Sequence, residues 1–187
     1  YHGILSMHHS LSGSLSLNNQ QVDFNDGIGY TEKDWGKNFP QSWIWVQANH
    51  FRKNKISLSA SIARIPLLGT QFAGFIIGLL IEDRFYRFTT YRSSKINHLS
   101  LQKDKIEWVV KQKELTLKIF ILLGKKTGLL FAPDSEDMIE KVEEHLDSKV
   151  RFVLEKNSKI IFEDESDFAA SEVVGDIEAL LKLANSN

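Results

Sequence analysis

The feature that most constrains the fold is a repeated pattern of short segments in which apolar and polar residues alternate, each followed by a polar turn. It occurs in "LSGSLSL", "RFYRFTTY", "KIEWVV", "LTLKIFILL" and "KIIFEDE". Two-residue alternation is the period of a β-strand, and turn signals roughly every 8 to 12 residues favour an antiparallel sheet. The crossover helices that a parallel sheet needs are missing from the pattern. The sequence therefore predicts an all-β fold, an antiparallel barrel or sandwich.

Two segments carry a helical period instead. In "PDSEDMIEKVEEHL", Met138, Val142 and Leu146 stand at i, i+4 and i+8, although a strand fits the same letters, so 134–147 stays open between helix and strand. In "GDIEALLKLA", Asp176 is suited to cap a helix whose apolar residues share one face. We expect a short C-terminal helix there.

Residues 65–81, "IPLLGTQFAGFIIGLLI", form the most apolar run of the chain. The run is at the lower length limit for a membrane span and contains Pro66, Gln71 and three glycines. A buried strand is therefore predicted, followed by a hairpin turn at 82–84, and no integral membrane span is expected.

The amino-acid composition is typical of a soluble globular protein. The chain has 187 residues, 42% hydrophobic and 25% charged, with a net charge of −1, which favours one soluble domain over 1–187 and gives no reason to expect nucleic-acid binding. The absence of Cys excludes disulfides, thiolate metal sites and cysteine nucleophiles.

Because the sequence starts at Tyr1 rather than Met, we expect the natural protein to be longer at its N-terminus. A cytoplasmic or membrane-peripheral location is favoured.

The stretch "YTEKDWGKNFPQSWIWVQANHF", residues 30–51, holds the strongest candidate for a site. From Trp43 onward a strand would place two aromatic and two amide side chains on one face: Trp43, Trp45, Gln47 and Asn49. The other face would carry Ile44, Val46, Ala48 and His50. The Trp face is typical of a ligand-lined barrel interior, in which aromatics bury an apolar ligand and amides orient its polar end. Alternatively, it fills a solid core.

Before this strand, residues 32–42 are predicted to form a structured loop, since Gly36 and Pro40 interrupt regular structure. Glu32 and Asp34 could act as proton donors there, because burial beside aromatics raises a carboxyl pKa, and Lys33 could hold one carboxylate ionised. A salt-bridged surface loop is the alternative interpretation.

Other chemistries find no support in the sequence. The Walker-A pattern, the dinucleotide glycine fingerprint and the nucleophile elbow are all absent. The histidines show no spacing typical of metal ligands, so no metal site is predicted: His2, His8, His9, His50, His98 and His145.

The same stretch resembles the signature of the tocopherol cyclase family, in which Glu-Lys-Asn/Asp-Trp-Gly is followed by Phe-Pro and an aromatic strand ending Gln-x-Asn. The segments "GSLSLNNQQVDFNDGIGY", "RIPLLG" and "IIFEDESDFAASEVVGD" are also similar to family segments, in the same order. On this chain the signature falls on Tyr30, Glu32, Lys33, Asp34, Trp35, Gly36, Phe39, Pro40, Trp43, Trp45, Gln47 and Asn49. Residues 84–150 align only loosely, and Asp34 stands where plant members tend to have Asn.

The resemblance implies a lipocalin-like fold, a hydrophobic small-molecule ligand, no redox cofactor and no metal. It also implies that this chain is the C-terminal half of a longer protein, with an N-terminal domain as its partner. Plant and cyanobacterial members protonate the tail double bond of a prenylated hydroquinone, and the phenol oxygen captures the tertiary cation.

Two main hypotheses follow for function. In the first, the protein binds a prenylated or lipidic molecule and cyclises or hydrates it, with Glu32 or Asp34 as proton donor and Lys33 beside them. The ligand-binding candidates are Tyr30, Trp35, Trp43, Trp45, Gln47, Asn49 and His50. In the second, it is a non-catalytic lipocalin-like module that binds a hydrophobic ligand. A third, weaker hypothesis has the signature packing against an N-terminal domain.

Overall fold

The computed structural model describes residues 2–134 and 137–186, and within them the chain consists almost entirely of antiparallel strands. The strands are β1 (His2–Ser10), β2 (Ser14–Leu17), β3 (Gln20–Asp23), β4 (Ile28–Asp34), β5 (Ser42–Ala48), β6 (Ile56–Leu67), β7 (Thr70–Ile81), β8 (Arg84–Thr89), β9 (Lys95–Gln102), β10 (Lys105–Gln112), β11 (Leu115–Leu122), β12 (Gly128–Asp134), β13 (Asp137–Lys156) and β14 (Lys159–Gly175). A 3₁₀ turn covers Thr90–Arg92, and a single helix in the described residues, α1, covers Ile177–Ala184. The predicted all-β class with a short C-terminal helix is confirmed.

Ten strands form one large sheet, ordered β8, β7, β6, β5, β14, β13, β11, β10 and β9, with β12 paired to β13. The sheet curves around one interior. Across this interior, Phe75 on β7 packs edge-on against Trp108 on β10, with ring centroids 6.3 Å apart. The end strands β8 and β9 do not pair with each other in the part of the chain that the structure describes. The architecture is therefore an open, barrel-like sheet.

A solid apolar core fills the concave interior of this sheet. Its largest fully buried side chains are Trp108, Phe88, Phe152, Ile44, Ile56, Leu58, Ile62, Ile77, Leu79, Leu99, Ile106 and Leu117. They come from alternate positions of eight strands, as the two-residue period requires when one face of a sheet is buried. Leu180 and Ala184 of α1 join the same core.

The helix begins and ends on specific hydrogen bonds. Asp176 caps its N-terminus as predicted, accepting a 3.1 Å bond from the Ala179 backbone N–H. At the other end, Asn185 accepts a 2.9 Å bond from the Leu99 N–H and donates a 2.8 Å bond to the Leu99 carbonyl. Leu99 lies on β9, so α1 is fastened to one end strand of the large sheet.

A second layer covers part of the convex outer face of the large sheet. β1 and β4 pair as a separate two-stranded sheet, and β1 contacts β6. The hairpin of β12 and the first half of β13 lies beside it, where Ala132 and Val142 pack with Trp43 and Ala63. This second layer encloses the candidate site.

Two segments with more than one interpretation in the sequence, 65–81 and the described residues of 134–147, fold as parts of antiparallel strands. The apolar run 65–81 is not one strand: β6 ends at Leu67, a turn follows, and β7 begins at Thr70. The hairpin turn predicted at 82–84 separates β7 from β8. The helical alternative for 134–147 is wrong for the described residues, which belong to β12 and β13, whereas 135 and 136 lie outside them. No helix in the described ranges is long and apolar enough to cross a membrane.

Candidate functional site

The two faces of β5 have different environments. Ile44, Val46 and Ala48 point into the core and are at most 1% exposed, while Trp43 and Trp45 point to the outer face. The interpretation of the Trp face as a barrel interior is therefore wrong, because the smaller aliphatic face fills the interior. The Trp face instead forms the floor of a space under the second layer.

That space is a cavity of about 610 Å³. β5, β6 and β7 form its floor, and β1, β4 and the β12–β13 hairpin form its walls. Its lining is mainly apolar and aromatic, with several polar groups: His2, Glu32, Asp34, Asn38, Phe39, Pro40, Trp43, Trp45, Ser61, Ala63, Ile65, Gly74, Phe75, Ile76, Tyr91, Leu130, Phe131, Val142 and Glu172. A mostly apolar cavity with a few convergent polar groups is typical of a small-molecule site.

Glu32 projects into this cavity from β4. The predicted loop 32–42 is partly wrong, since the strand continues through Asp34 and pairs Glu32 with Ile4 of β1. Oε2 of Glu32 accepts hydrogen bonds from the Tyr30 hydroxyl and, at 3.1 Å, from Trp45 Nε1. Burial raises the pKa of Glu32, while these two hydrogen bonds favour its carboxylate form.

Tyr30 links Glu32 to the floor of the cavity. Its hydroxyl lies 2.9 Å from Oγ of Ser59 on β6 and donates to Glu32. Burial, with the bond to Glu32, raises the pKa of Tyr30 well above its ordinary value, so the phenol stays neutral and remains a donor. Tyr30 therefore fixes the position of the Glu32 carboxylate.

Asp34 lies at the exposed rim of the cavity. Nδ1 of His2 is 2.7 Å from Asp34 Oδ1 and 4.0 Å from Glu32 Oε1. The three groups bring ligand-type atoms within 4.8 Å of one another, which the spacing of His2 in the sequence did not suggest. A rim cluster of this kind is common without an ion, so the absence of a metal site stays a prediction.

Five other candidate site residues lie outside the cavity lining: Lys33, Trp35, Gln47, Asn49 and His50. Lys33 and Trp35 are exposed, with the Lys33 Nζ 5.2 Å from the Trp35 ring centroid. Gln47 is half-buried farther along β5, and the side chain of Asn49 donates a 3.4 Å hydrogen bond to the Ile28 carbonyl. His50 is exposed, and its carbonyl accepts a bond from Ser166. The structure thus gathers Glu32, Asp34, Trp43 and Trp45 around the cavity, with Tyr30 behind Glu32.

Glu172 is a cavity residue that sequence reasoning missed. It lies on β14 directly opposite Trp45, and its Oε2 accepts a 2.7 Å hydrogen bond from Trp43 Nε1. Burial raises the pKa of Glu172 to about 7. The available signal was a single carboxyl among small and apolar residues in "AASEVV", within a segment already noted as family-like.

Comparison with known proteins agrees with the sequence signature. A family model described as tocopherol cyclase-like matches residues 2–175, a range that includes every residue lining the cavity. The chain is 32% identical over 84 residues to the probable chloroplastic tocopherol cyclase of Oryza sativa subsp. japonica. It is 30% identical over 84 residues to the chloroplastic tocopherol cyclase of Zea mays. Each alignment covers 43% of this chain and only 18% of the plant protein. No solved structure matches the chain.

Proposed function

The chain belongs to the tocopherol cyclase-like family, and from this premise we propose that its outer cavity binds a prenylated phenol, or a similar lipidic molecule, and closes a ring on it. A cavity carboxyl protonates the double bond of the prenyl tail, and the phenol oxygen captures the tertiary cation. Substrate and product are isomers, so the reaction consumes no redox cofactor.

The observation that carries this proposal is the meeting of carboxyl groups and indole rings in one apolar cavity. Glu32 and Glu172 each accept a hydrogen bond from an indole N–H, of Trp45 and Trp43 respectively. The apolar lining suits a prenyl tail, the carboxyls suit proton transfer, and the indole faces suit a developing carbocation.

The signature residues have separable roles in this proposal. Glu32 and Asp34 supply acid–base groups to the ring-closing end of the cavity, with Tyr30 orienting Glu32. Trp43 and Trp45 flank the reacting carbon atoms. Because Gln47 and Asn49 lie outside the cavity lining, the phenol hydroxyl is held by Glu32 rather than by these amides.

The test uses a hydroquinone that carries a prenyl chain ortho to one hydroxyl. Its conversion to an isomeric chroman is followed by chromatography with mass detection, and its binding by quenching of tryptophan fluorescence. A double variant, Glu32→Gln with Asp34→Asn, is expected to bind the hydroquinone and to lose turnover by at least roughly 100-fold, as for removal of general acid–base groups. Unchanged turnover would reject the role of these two residues.

A non-catalytic binding module is the second candidate, favoured by the cavity itself, whose lining is mostly apolar. In that case the wild-type protein binds the hydroquinone and returns it unchanged. Failure to bind any prenylated phenol would reject both functions.

A further inference from the structure

Glu172 occupies the centre of a row of side chains on the outer face of the large sheet. It pairs with Trp45 of β5 on one side and with Glu144 of β13 on the other. Trp43, two positions along β5, donates its indole N–H to Oε2 of Glu172. Oε1 is not part of this bond, and the side chain lines the cavity.

The surroundings of Glu172 favour its protonated form. Burial is the largest cause of its raised pKa, and the negative charges of Glu144, Glu32 and Asp34 act in the same direction. The hydrogen bond from Trp43 opposes them. A carboxyl whose pKa is about 7 is protonated in a large fraction of molecules at neutral pH.

The surroundings of Glu32 contain more groups that favour its ionised form. The pKa of Glu32 is also raised, with burial as the largest cause and Asp34 adding to it, but the hydrogen bonds from Tyr30 and Trp45 and the nearby His2 ring oppose this rise. Both hydrogen bonds end on one oxygen, Oε2. Because Glu32 accepts hydrogen bonds from two donors, Tyr30 and Trp45, and Glu172 accepts one from Trp43, the two carboxyls are suited to opposite roles in proton transfer.

We propose, resting on the function proposed above, that Glu172 donates the proton to the substrate double bond and that Glu32 accepts the proton of the phenol. The O–H bond of Glu172 breaks as a C–H bond forms from the π electrons, leaving a tertiary cation. The phenol oxygen then forms a C–O bond to the cation, and its proton moves to the Glu32 carboxylate. Exchange with water returns both carboxyls to their starting states.

Trp43 is a positioning residue in this scheme. Its hydrogen bond fixes Oε2 of Glu172, so Oε1 is the oxygen that carries the proton to the cavity. Glu144 has a different effect, because its charge lies beside Glu172 across β13 and raises the pH at which the acid loses its proton.

The experiment compares Glu172→Gln with the wild-type protein on the same prenylated hydroquinone. Gln keeps an oxygen that can accept from Trp43 but has no acidic proton. We expect the dissociation constant to change less than about threefold and turnover to fall by at least roughly 100-fold. Glu144→Gln is expected to move the alkaline limb of the pH profile to lower pH, because it removes a negative charge beside Glu172.

Glu143→Gln is the matched control, because Glu143 precedes Glu144 on β13 and its carboxylate pairs with Lys126. Its pH profile should equal that of the wild type. Turnover of Glu172→Gln at the wild-type rate overturns the donor assignment and leaves the cyclase function intact. Wild-type binding without turnover overturns the cyclase function and the donor assignment together.

Discussion

The indole Nε1 of Trp43 donates a 2.7 Å hydrogen bond to Oε2 of Glu172. This bond joins β5, the strand of the family signature, to β14, and the two residues are 129 positions apart in the chain. It places an aromatic ring beside a buried carboxyl. The site is therefore built from both ends of the matched sequence.

Glu172 makes the unfolding free energy of the ligand-free protein depend on pH. Its pKa is about 7 in the folded protein, against an ordinary value of 4.5. A raised folded-state pKa gives stability that is present below pH 4.5 and is lost as the pH rises through 7. Between pH 4 and pH 8, the wild type should lose roughly 2 to 3 kcal/mol more unfolding free energy than Glu172→Gln.

Urea denaturation of both proteins at the two pH values checks this expectation. Glu107→Gln, at an exposed position on β10, is the control and should follow the wild type. Equal pH dependence in wild type and Glu172→Gln would show that Glu172 has an ordinary pKa.

Gly175 ends β14 with a backbone that only glycine fits. Its φ is +79°, and a Cβ there would lie 1.9 Å from the Gln41 carbonyl oxygen. Gly69 has a similar φ of +80° but open space around it. Gly69→Ala should cost roughly 1 to 2 kcal/mol of unfolding free energy, and Gly175→Ala more than about 3 kcal/mol. Similar losses in denaturation curves of the two variants would contradict the close contact with Gln41.

Trp108 anchors the interior of the open sheet. It is fully buried, and its ring packs edge-on against Phe75 across the core. Trp108→Ala should lower the free energy of unfolding by roughly 3 to 5 kcal/mol. Trp35→Ala, at a position 48% exposed, should lower it by less than about 1 kcal/mol. Equilibrium denaturation measures both, and a small loss for Trp108→Ala would mean that the interior is not tightly packed.

Ala63 provides a test of where the ligand binds. It lies on the cavity floor beside Trp43 and is 9% exposed. Ala63→Leu adds bulk to the cavity and should weaken binding of the prenylated hydroquinone at least roughly tenfold, about 1.4 kcal/mol. Thr116→Leu, on β11 outside the cavity lining, should bind normally in the same fluorescence titration. Wild-type affinity of Ala63→Leu would place the ligand elsewhere.

Local sequence patterns were sufficient to predict the strand class and the C-terminal helix. Alternation reports the two-residue period directly, and Asp176 caps α1 through contacts within one turn. The helical alternative for 134–147 arose because the spacing of Met138, Val142 and Leu146 also fits a helix. Pairing with β12, with a register shift, holds this segment as a strand. Local spacing cannot reveal such a partner.

The position of the site depended on contacts between distant residues. Both faces of β5 are apolar enough to be buried, so alternation alone could not decide which one faced the interior. The second layer, which includes β1 and β4, covers the Trp face of β5 and so determines which face lies outside the core. The same layer places His2 beside Asp34. Glu172 had no motif of its own, since its role depends on pairing with Trp45 across β14 and β5.

The two hydrogen bonds between Asn185 and Leu99 have a consequence for self-association. An end strand with free N–H and C=O groups is a template on which another chain can add a strand. The Asn185 amide occupies both groups of Leu99, in the manner of a short stretch of neighbouring backbone. The residue that ends the C-terminal helix, which follows the segment matched by the family model, thus blocks strand addition at Leu99 in the middle of β9.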